Sequence, residues 1–526
     1  MATTKPERVR APRHACASGL VLLTIATAAR AATAPPIEPT LAVSAVATDN
    51  AELASQGADR RKDVIGEVNA GVIVRTRGAR VSIQGDAGLD FYGYVRDSEP
   101  SRVLPRGHLD LTSILVEQWL YFDGDLAASR TRADPLAAQT GSSTANTVST
   151  VSARASPYVA HDFSTVLSAR LRADTTVTRN HSDDPANGVN APNGSTYQHD
   201  VFTLVRKPTP FGVQVDGLHD DTTYQGNNAS VLKTDSLQAT LSAAPDADWM
   251  VGVVGGREHA VYSGITQDDT TYGGVLQWRP SPRTTFDLGA QHHYFGNGFD
   301  LHFHDRLPRS VVDLSVTRAA QASPTTFGLN GPDSDPAVLL GAILSSRTPD
   351  QPGGDQPGGD QAVDNLMQTR NLPGAFAQPQ QITSESAQLA TRAQLNLLYN
   401  GQRSTFYVSG WYEKATTLPG GLPATTPGLV FDSRQWGGSL GLYHRLTPQL
   451  SGAAQIEWSS IEALGARAGD SQHQFAGTLS LTQRLGPRTT LSAGLRHFAS
   501  HVVLNSASTT SEVRENQAFA GLRVQY

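Results

Sequence analysis

The chain has 526 residues, of which 39% are hydrophobic, with a mean hydropathy of -0.30 and a formal net charge of -6 at pH 7. Beyond the N-terminal segment no stretch approaches the roughly 20 apolar residues that a membrane-spanning helix needs, which excludes a helical membrane protein. Acidic and basic residues are interspersed without a basic stripe that would neutralise phosphates, so nucleic acid is not an expected partner.

The first 31 residues have the order of a secretory signal peptide. Basic residues precede an apolar stretch from Ala15 to Ala29, and small residues follow it. We expect cleavage after Ala31 or nearby. An anchor that stays in place is the alternative, but the apolar run is too short to span a bilayer. The only cysteine, Cys16, lies in this segment, so the mature chain is expected to contain no disulfide and no thiolate metal site.

Period-2 alternation dominates the chain from about residue 37 onward. In one segment Phe211, Val213 and Val215 alternate with Gln214 and Asp216. Successive side chains of a strand point to opposite faces, so this pattern predicts amphipathic β-strands. A soluble β-sandwich would alternate in the same way, and the connections between strands must therefore discriminate between the two folds.

Short and long connections take turns along the chain, as they do in a transmembrane barrel with tight periplasmic turns and long outer loops. Tight turns are predicted at 77–80, 116–119, 158–162, 207–211, 244–248, 279–283, 306–309, 399–403, 445–449 and 484–488. Longer polar connections are predicted at 131–147, 180–196, 220–233, 416–432 and 462–472, and a short outer one around 295–299. The sequence therefore predicts an all-β, antiparallel up-and-down barrel of about 22 strands (range 18 to 24) over residues 32–526, in the bacterial outer membrane.

Residues 326–384 interrupt this rhythm. The segment is too long for a simple loop, and a tandem Asp-Gln-Pro-Gly-Gly repeat at 350–359 separates two predicted short helices, 336–345 and 362–369. The repeat has the composition of a flexible linker. A loop at the outer mouth and a segment that enters the lumen as a plug are both compatible with this pattern.

The C-terminus is typical of a barrel's closing strand. The last strand is predicted from Glu515 to Tyr526, and it should return to the periplasm and pair with a first strand that begins near Glu38. Gly521, Val524 and the terminal aromatic Tyr526 match the signal that the outer-membrane assembly machinery recognises. Outer-membrane lipid and this machinery are therefore the expected partners of the barrel.

Several short motifs resemble the exosortase, or PEP-CTERM, system-associated outer-membrane proteins, which are found beside exopolysaccharide biosynthesis clusters. The motifs are Pro39 to Ser44, Trp119 to Asp123, Ala155 to Tyr158, Trp278 to Thr284 and Tyr294 to Asn297. The resemblance runs over most of the mature chain, with the repeat near Asp350 as an insertion. It implies a location and an association with export, and it supplies no catalytic residues.

The best candidate for chemistry is Asp300, His302 and His304 on one face of a strand, near His292 and His293 of the neighbouring strand. Imidazoles two residues apart on a strand point the same way and could share a metal or a proton. The alternative is that they are polar residues of the lumen, because no fixed further ligand is evident. The common signatures of zinc proteases, nucleotide-binding proteins and hydrolases are missing, so neither a catalytic residue nor a cofactor or metal is assigned.

The six tryptophans fall mostly near predicted strand ends: Trp119, Trp249, Trp278, Trp411, Trp436 and Trp458. This placement favours interfacial aromatic girdles, and stacking on sugar rings inside the lumen is the alternative. The first functional hypothesis is a conduit or assembly component for exopolysaccharide or PEP-CTERM surface proteins. A passive porin is the second, and a barrel-embedded hydrolase is the third. The lumen's Asp, Gln, Ser and Thr residues are expected to offer hydrogen bonds without strong charge selection.

Overall fold

The computed structural model describes residues 37–55, 60–132, 136–138, 147–182, 194–225, 231–262, 264–321, 387–418, 432–505 and 508–525. These residues form one sheet of 22 antiparallel strands. The strands are β1 (Ile37–Thr48), β2 (Asp63–Arg77), β3 (Val81–Tyr94), β4 (Arg102–Val116), β5 (Leu120–Arg132), β6 (Thr147–Asp162), β7 (Leu167–Ser182), β8 (Gly194–Arg206), β9 (Phe211–Gln225), β10 (Val231–Ala243), β11 (Trp249–Tyr262), β12 (Ile265–Ser281), β13 (Thr284–His293), β14 (Gly296–Arg306), β15 (Ser310–Gln321), β16 (Gln388–Asn400), β17 (Ser404–Thr417), β18 (Ser433–Arg445), β19 (Leu450–Ala463), β20 (Ser471–Arg484), β21 (Thr489–Leu504) and β22 (Thr509–Gln525). A single 3₁₀ turn, Gly465–Arg467, is the only helical element in this part of the chain.

The sheet closes on itself, because the last strand pairs with the first. The register runs from Thr40 opposite Gln525 to Thr48 opposite Gln517. Each other strand pairs with its neighbours in chain order, as expected for an up-and-down barrel. Closure removes the two open edges that a sheet would otherwise expose. The predicted fold class, strand number and pairing of first and last strands are confirmed.

The outward face carries an apolar band bounded by aromatic rings. Near the turn end of β11 and β12, Trp249 and Trp278 stack with ring centroids 5.4 Å apart. On the other side of the band, Trp458 and Phe475 lie opposite each other and are 43% and 42% exposed. Phe475 lies nine residues from the turn end of its strand at Arg484. Nine residues of a strand tilted by about 40° rise by roughly 23 Å, close to the 25 Å band of an outer-membrane barrel.

This closed barrel with its apolar outward face is an outer-membrane protein. No helix among the described residues has the length and apolar character needed to cross a membrane. The tight turns lie at one end, which is the periplasmic end, and the longer connections lie at the other. Residues 1–31, residues 326–384 and Tyr526 fall outside the described residues, so the predictions made for them stay predictions.

All ten tight connections are present, but the one predicted at 158–162 was misplaced. Strand β6 continues to Asp162, and the turn lies at 163–166. There the Ser164 hydroxyl accepts hydrogen bonds from the backbone N–H groups of Val166 and Leu167 at 3.3 and 3.1 Å. Pro157 lacks an N–H and interrupts the ladder to β7 without ending the strand.

Several strands also extend further toward the loop end than the sequence predicts. The polar run after Asp220 was predicted as a connection, yet β9 continues to Gln225 and pairs with β10 from Val231. Likewise, β22 begins at Thr509 and not at Glu515. Backbone ladders need no apolar face, so strands can continue beyond the apolar band with polar side chains on both faces.

At the loop end the inner wall becomes apolar. One buried cluster runs from Leu232 on β10 through Tyr262 and Tyr294 to Leu389 on β16. Another joins Leu136, in the β5–β6 connection, to Ile461 and Ala463 of β19. Because β5 and β19 are not adjacent strands, this contact places Leu136 inside the outer mouth.

The prediction that the tryptophans form outward girdles is wrong for Trp411. Its side chain faces inward from β17 and is only 5% exposed. Trp411 alternates with Gly410 and Tyr412, which face outward. Because all three positions could suit the lipid face, the sequence alone does not show which of them point into the lumen. Its ring lies against Gly437 of the next strand, where a Cβ atom would come 2.7 Å from the ring.

Candidate functional site

The inward-facing side chains of the strands, here called the lumen wall, carry most of the charged and hydrogen-bonding groups of the barrel's membrane-spanning part. On β1 to β4 the central group is the carboxylate of Asp90, which is 3% exposed. It accepts hydrogen bonds from Asn69 at 2.8 Å and from the Arg106 Nε at 2.7 Å. Arg130 approaches it at 3.4 Å and donates to the Tyr92 hydroxyl at 2.9 Å. The charges in this region are therefore matched.

The same matching continues on β5 to β7. Arg154 pairs with Asp125 at 2.6 Å. Arg172 pairs with Asp123 at 3.2 Å and with Asp174 at 2.8 Å. Because Arg154 and Arg172 each contact at least one carboxylate, these two guanidinium groups add no excess of positive charge to this side of the lumen wall.

The lumen wall differs at the turn end of β18 to β22. Here the side chains of Arg445, Arg484, Arg488 and Arg523 border a cavity of about 280 Å³. Its lining also includes hydroxyl and amide side chains, namely Ser44, Thr447, Gln449, Ser451, Thr482, Thr490, Ser492 and Gln525, together with small and apolar residues such as Ala42, Leu450 and Leu522. We call these four arginines the basic mouth. In the described part of the chain none of them has a carboxylate within 4.0 Å.

Two carboxylates of the neighbouring strands are already paired: Asp86 lies 3.3 Å from Arg106, and Glu38 has two partners. Glu38 accepts a hydrogen bond from Gln525 at 2.6 Å and lies 3.8 Å from Arg75. Arg445 donates a hydrogen bond to the backbone carbonyl oxygen of Gln402 at 3.2 Å. Guanidinium groups therefore predominate around this cavity, whereas the expectation of a lumen without strong charge selection stays a prediction.

The sequence-predicted residues Asp300, His302 and His304 all face the lumen from β14, but only the two histidines act together. His302 Nε2 lies 2.8 Å from Asp313 Oδ2, and His304 Nδ1 lies 3.3 Å from the same oxygen. Asp313, on β15, is the residue that sequence reasoning missed. Asp300 does not belong to this group, because its Cα partner on β15 is Thr317, four residues further along the strand.

The neighbouring histidines do not join this group either. His293 faces inward and its Nδ1 lies 2.9 Å from Glu258 Oε1. His292 faces the other side, where its ring stacks on Tyr272 with centroids 5.0 Å apart. These two consecutive residues therefore point to opposite faces of the sheet.

Two groups of side chains among the described residues could hold a metal ion. One is His302, His304 and Asp313, and the other is His108, Asp110 and Asp125; in each, one donor atom per residue lies within 4.8 Å of the others.

Two serine–imidazole pairs bear on the hydrolase alternative. Ser404 Oγ lies 2.8 Å from His444 Nδ1, and Ser460 Oγ lies 2.8 Å from His473 Nδ1. In the described residues neither imidazole contacts a carboxylate that would orient it as a general base. These pairs thus lack the third group of a nucleophilic triad.

The C-terminal residues named as an insertion signal lie in the closing strand. Val524 faces outward opposite Leu41 and Thr489. Gly521 faces inward, and a Cβ atom there would lie 3.0 Å from the Ser44 Cβ. Recognition of Gly521, Val524 and Tyr526 by the assembly machinery stays a prediction.

Comparison with known proteins yields structural likeness only. No family model matches the chain, and no curated protein sequence is similar to it. The siderophore receptor PiuA of Acinetobacter baumannii is 8% identical with a TM-score of 0.45, over 93% of this chain and 82% of that one. The FrpB iron transporter of Neisseria meningitidis is 10% identical with a TM-score of 0.47, over 93% and 82%. OccK1 of Pseudomonas aeruginosa is 9% identical with a TM-score of 0.35, over 93% and 99%. These likenesses concern barrel architecture and extend to no functional residue.

Proposed function

We propose that this barrel conducts an acidic exopolysaccharide from the periplasm across the outer membrane. The observation that carries the proposal is the basic mouth, where four guanidinium groups line the periplasmic end of the lumen wall without carboxylate partners among the described residues. Guanidinium groups bind carboxylates and sulfate or phosphate esters, which are the charged groups of acidic sugars.

The rest of the lumen wall suits the passage of such a polymer. Beyond the mouth, four arginines of β4 to β7 are paired with aspartate, namely Arg106, Arg130, Arg154 and Arg172. A sugar chain that leaves the basic mouth would then meet hydrogen-bonding groups without a second strong binding region. Conduction requires an entrance that attracts the polymer and further contacts that are weak enough to release it.

The resemblance to PEP-CTERM system-associated proteins supports the same cargo, because it implies an association with exopolysaccharide export. A surface protein exported by the same system is the other cargo that the resemblance implies. The basic mouth favours the polysaccharide, because its guanidinium groups and the hydroxyl side chains beside them match the charged and hydroxyl groups of acidic sugars.

The proposal is tested by planar-bilayer recording of the refolded chain. In a KCl gradient we expect a reversal potential that indicates preference for anions. Oligogalacturonate added on the periplasmic side should interrupt the current. Replacing Arg484, Arg488 and Arg523 by glutamine should remove the anion preference and make the interruptions at least about tenfold rarer.

The matched control removes three positive charges from the outward face by replacing Arg257, Lys414 and Arg434 with glutamine. This control has the same net charge as the variant that lacks the three arginines. It should keep the anion preference of the wild type and its interruption by oligogalacturonate. Absence of conductance in the wild type would contradict the proposal. Conductance that neither oligogalacturonate nor the arginine substitutions affect would instead indicate a passive porin.

A further inference from the structure

We infer that His302, His304 and Asp313 form a binding site for one divalent transition-metal ion of the zinc class on the lumen wall. The two histidines are separated by one residue on β14, so both side chains leave the same face of the strand. Asp313 on β15 is the direct cross-strand partner of His304. Strand geometry and register thus bring three donor groups to one point.

The distances are close to those that such an ion needs. Zinc bonds to nitrogen and oxygen are about 2.0–2.1 Å long, so adjacent ligand atoms of a tetrahedral site lie roughly 3.3 Å apart. His304 Nδ1 is 3.3 Å and His302 Nε2 is 2.8 Å from Asp313 Oδ2. All three donor atoms lie within 4.8 Å of one another. Rotation of the side chains about their χ angles is then sufficient to bring the three donor atoms around one ion.

The chemistry of the donors selects the class of ion. Neutral imidazole suits zinc, copper, nickel and iron, whereas calcium and magnesium prefer sites built from oxygen atoms alone. Two imidazoles and one carboxylate leave at least one coordination position for water or for a group of the cargo. The lumen gives access to it, because the side chains of His302 and His304 are 35% and 22% exposed.

The arrangement differs from the other imidazole–carboxylate contacts of the described chain. His199 with Asp220, His293 with Glu258 and His259 with Asp268 each bring one imidazole to one carboxylate. Asp313 instead receives two imidazoles and is only 4% exposed. A buried carboxylate between two imidazoles is well placed for a cation that all three ligands can share.

The second group, His108 with Asp110 and Asp125, is a weaker candidate. It offers only one imidazole, and Arg154 already occupies the Asp125 carboxylate at a distance of 2.6 Å. A guanidinium at that distance opposes the approach of a divalent cation. We therefore place the ion on β14 and β15.

The inference is tested by titrating ZnCl₂ into the refolded full chain, purified without a histidine tag, in a calorimeter. Co²⁺ absorption gives a second readout, because nitrogen–oxygen coordination in a tetrahedral site produces intense visible bands. We expect one ion per barrel. His302→Ala, His304→Ala and Asp313→Asn should each lower the affinity by at least about 100-fold, since each removes one of three ligands.

Two matched controls separate this site from adventitious binding. Asp300→Asn changes a lumen-facing carboxylate on the same strand, and His199→Ala removes a lumen-facing imidazole that pairs with one carboxylate. Both should bind Zn²⁺ as the wild type does. Heat-modifiable migration on a gel verifies that every variant is folded. The inference is overturned if the folded wild type binds no ion, or if the three ligand variants bind it with unchanged affinity.

Discussion

Replacing Leu479 by arginine should lower the free energy of unfolding of the barrel by about 2–4 kcal/mol, because the charge would lie at the middle of the bilayer. Leu479 is 61% exposed on the outward face of β20, directly opposite Leu495, which is equally exposed. Unfolding by urea in lipid vesicles, followed by tryptophan fluorescence, measures the change.

The adjacent Ser480 supplies the control. It faces the lumen, where a guanidinium can reach water, and lies opposite Gly494 and Ala453. Ser480→Arg should therefore change the free energy of unfolding much less than Leu479→Arg. The two variants place an arginine at adjacent positions on opposite faces of β20. Equal losses for both would contradict the assignment of inward and outward faces along β20.

The sequence was sufficient to predict those faces because the side-chain period of a strand is two. In β14, the alternation of Phe299 and Leu301 with Asp300 and His302 identifies the lipid and lumen sides without any knowledge of the neighbouring strands. The number of strands followed from turn residues in the same local way. Both features depend only on residues that are close together in the chain.

The composition of the candidate sites depends instead on which residues of neighbouring strands lie opposite each other, and alternation within one strand does not give it. Asp313 meets His302 and His304 only because of the β14–β15 register, which alternation does not specify. Alternation did orient Asp300 correctly toward the lumen. It could not show that Asp300 lies opposite Thr317 and away from the carboxylate that the histidines share.

The basic mouth has a signal in the sequence. Arg445 and Arg484 occupy the same position at the start of two similar turns, Arg-Leu-Thr-Pro and Arg-Leu-Gly-Pro. Since β18 to β22 are consecutive strands of one sheet, residues at corresponding turn positions come together at its periplasmic end. Similar turns can therefore indicate a cluster of like charges as well as a repeated hairpin.

Close packing inside the barrel leads to the second prediction with a large effect: Gly441→Ala should destabilise the protein by about 1–3 kcal/mol. Gly441 on β18 lies directly opposite Tyr407 on β17. A Cβ atom at Gly441 would come 2.1 Å from Cε1 of the Tyr407 ring. That ring is 1% exposed and stacks on Tyr443 with centroids 6.1 Å apart, so it has little freedom to move.

The same unfolding measurement on three further variants isolates the contact. Gly410→Ala, where an added Cβ meets nothing within 4 Å, should be neutral or stabilising by up to about 1 kcal/mol. In a Tyr407→Ala background, Gly441→Ala should cost about 1–2 kcal/mol less than in the wild type, because the ring it would strike is gone. If the cost is the same in both backgrounds, the Tyr407 ring does not cover Gly441. The packing of β17 against β18 on the lumen side would then differ from the one described.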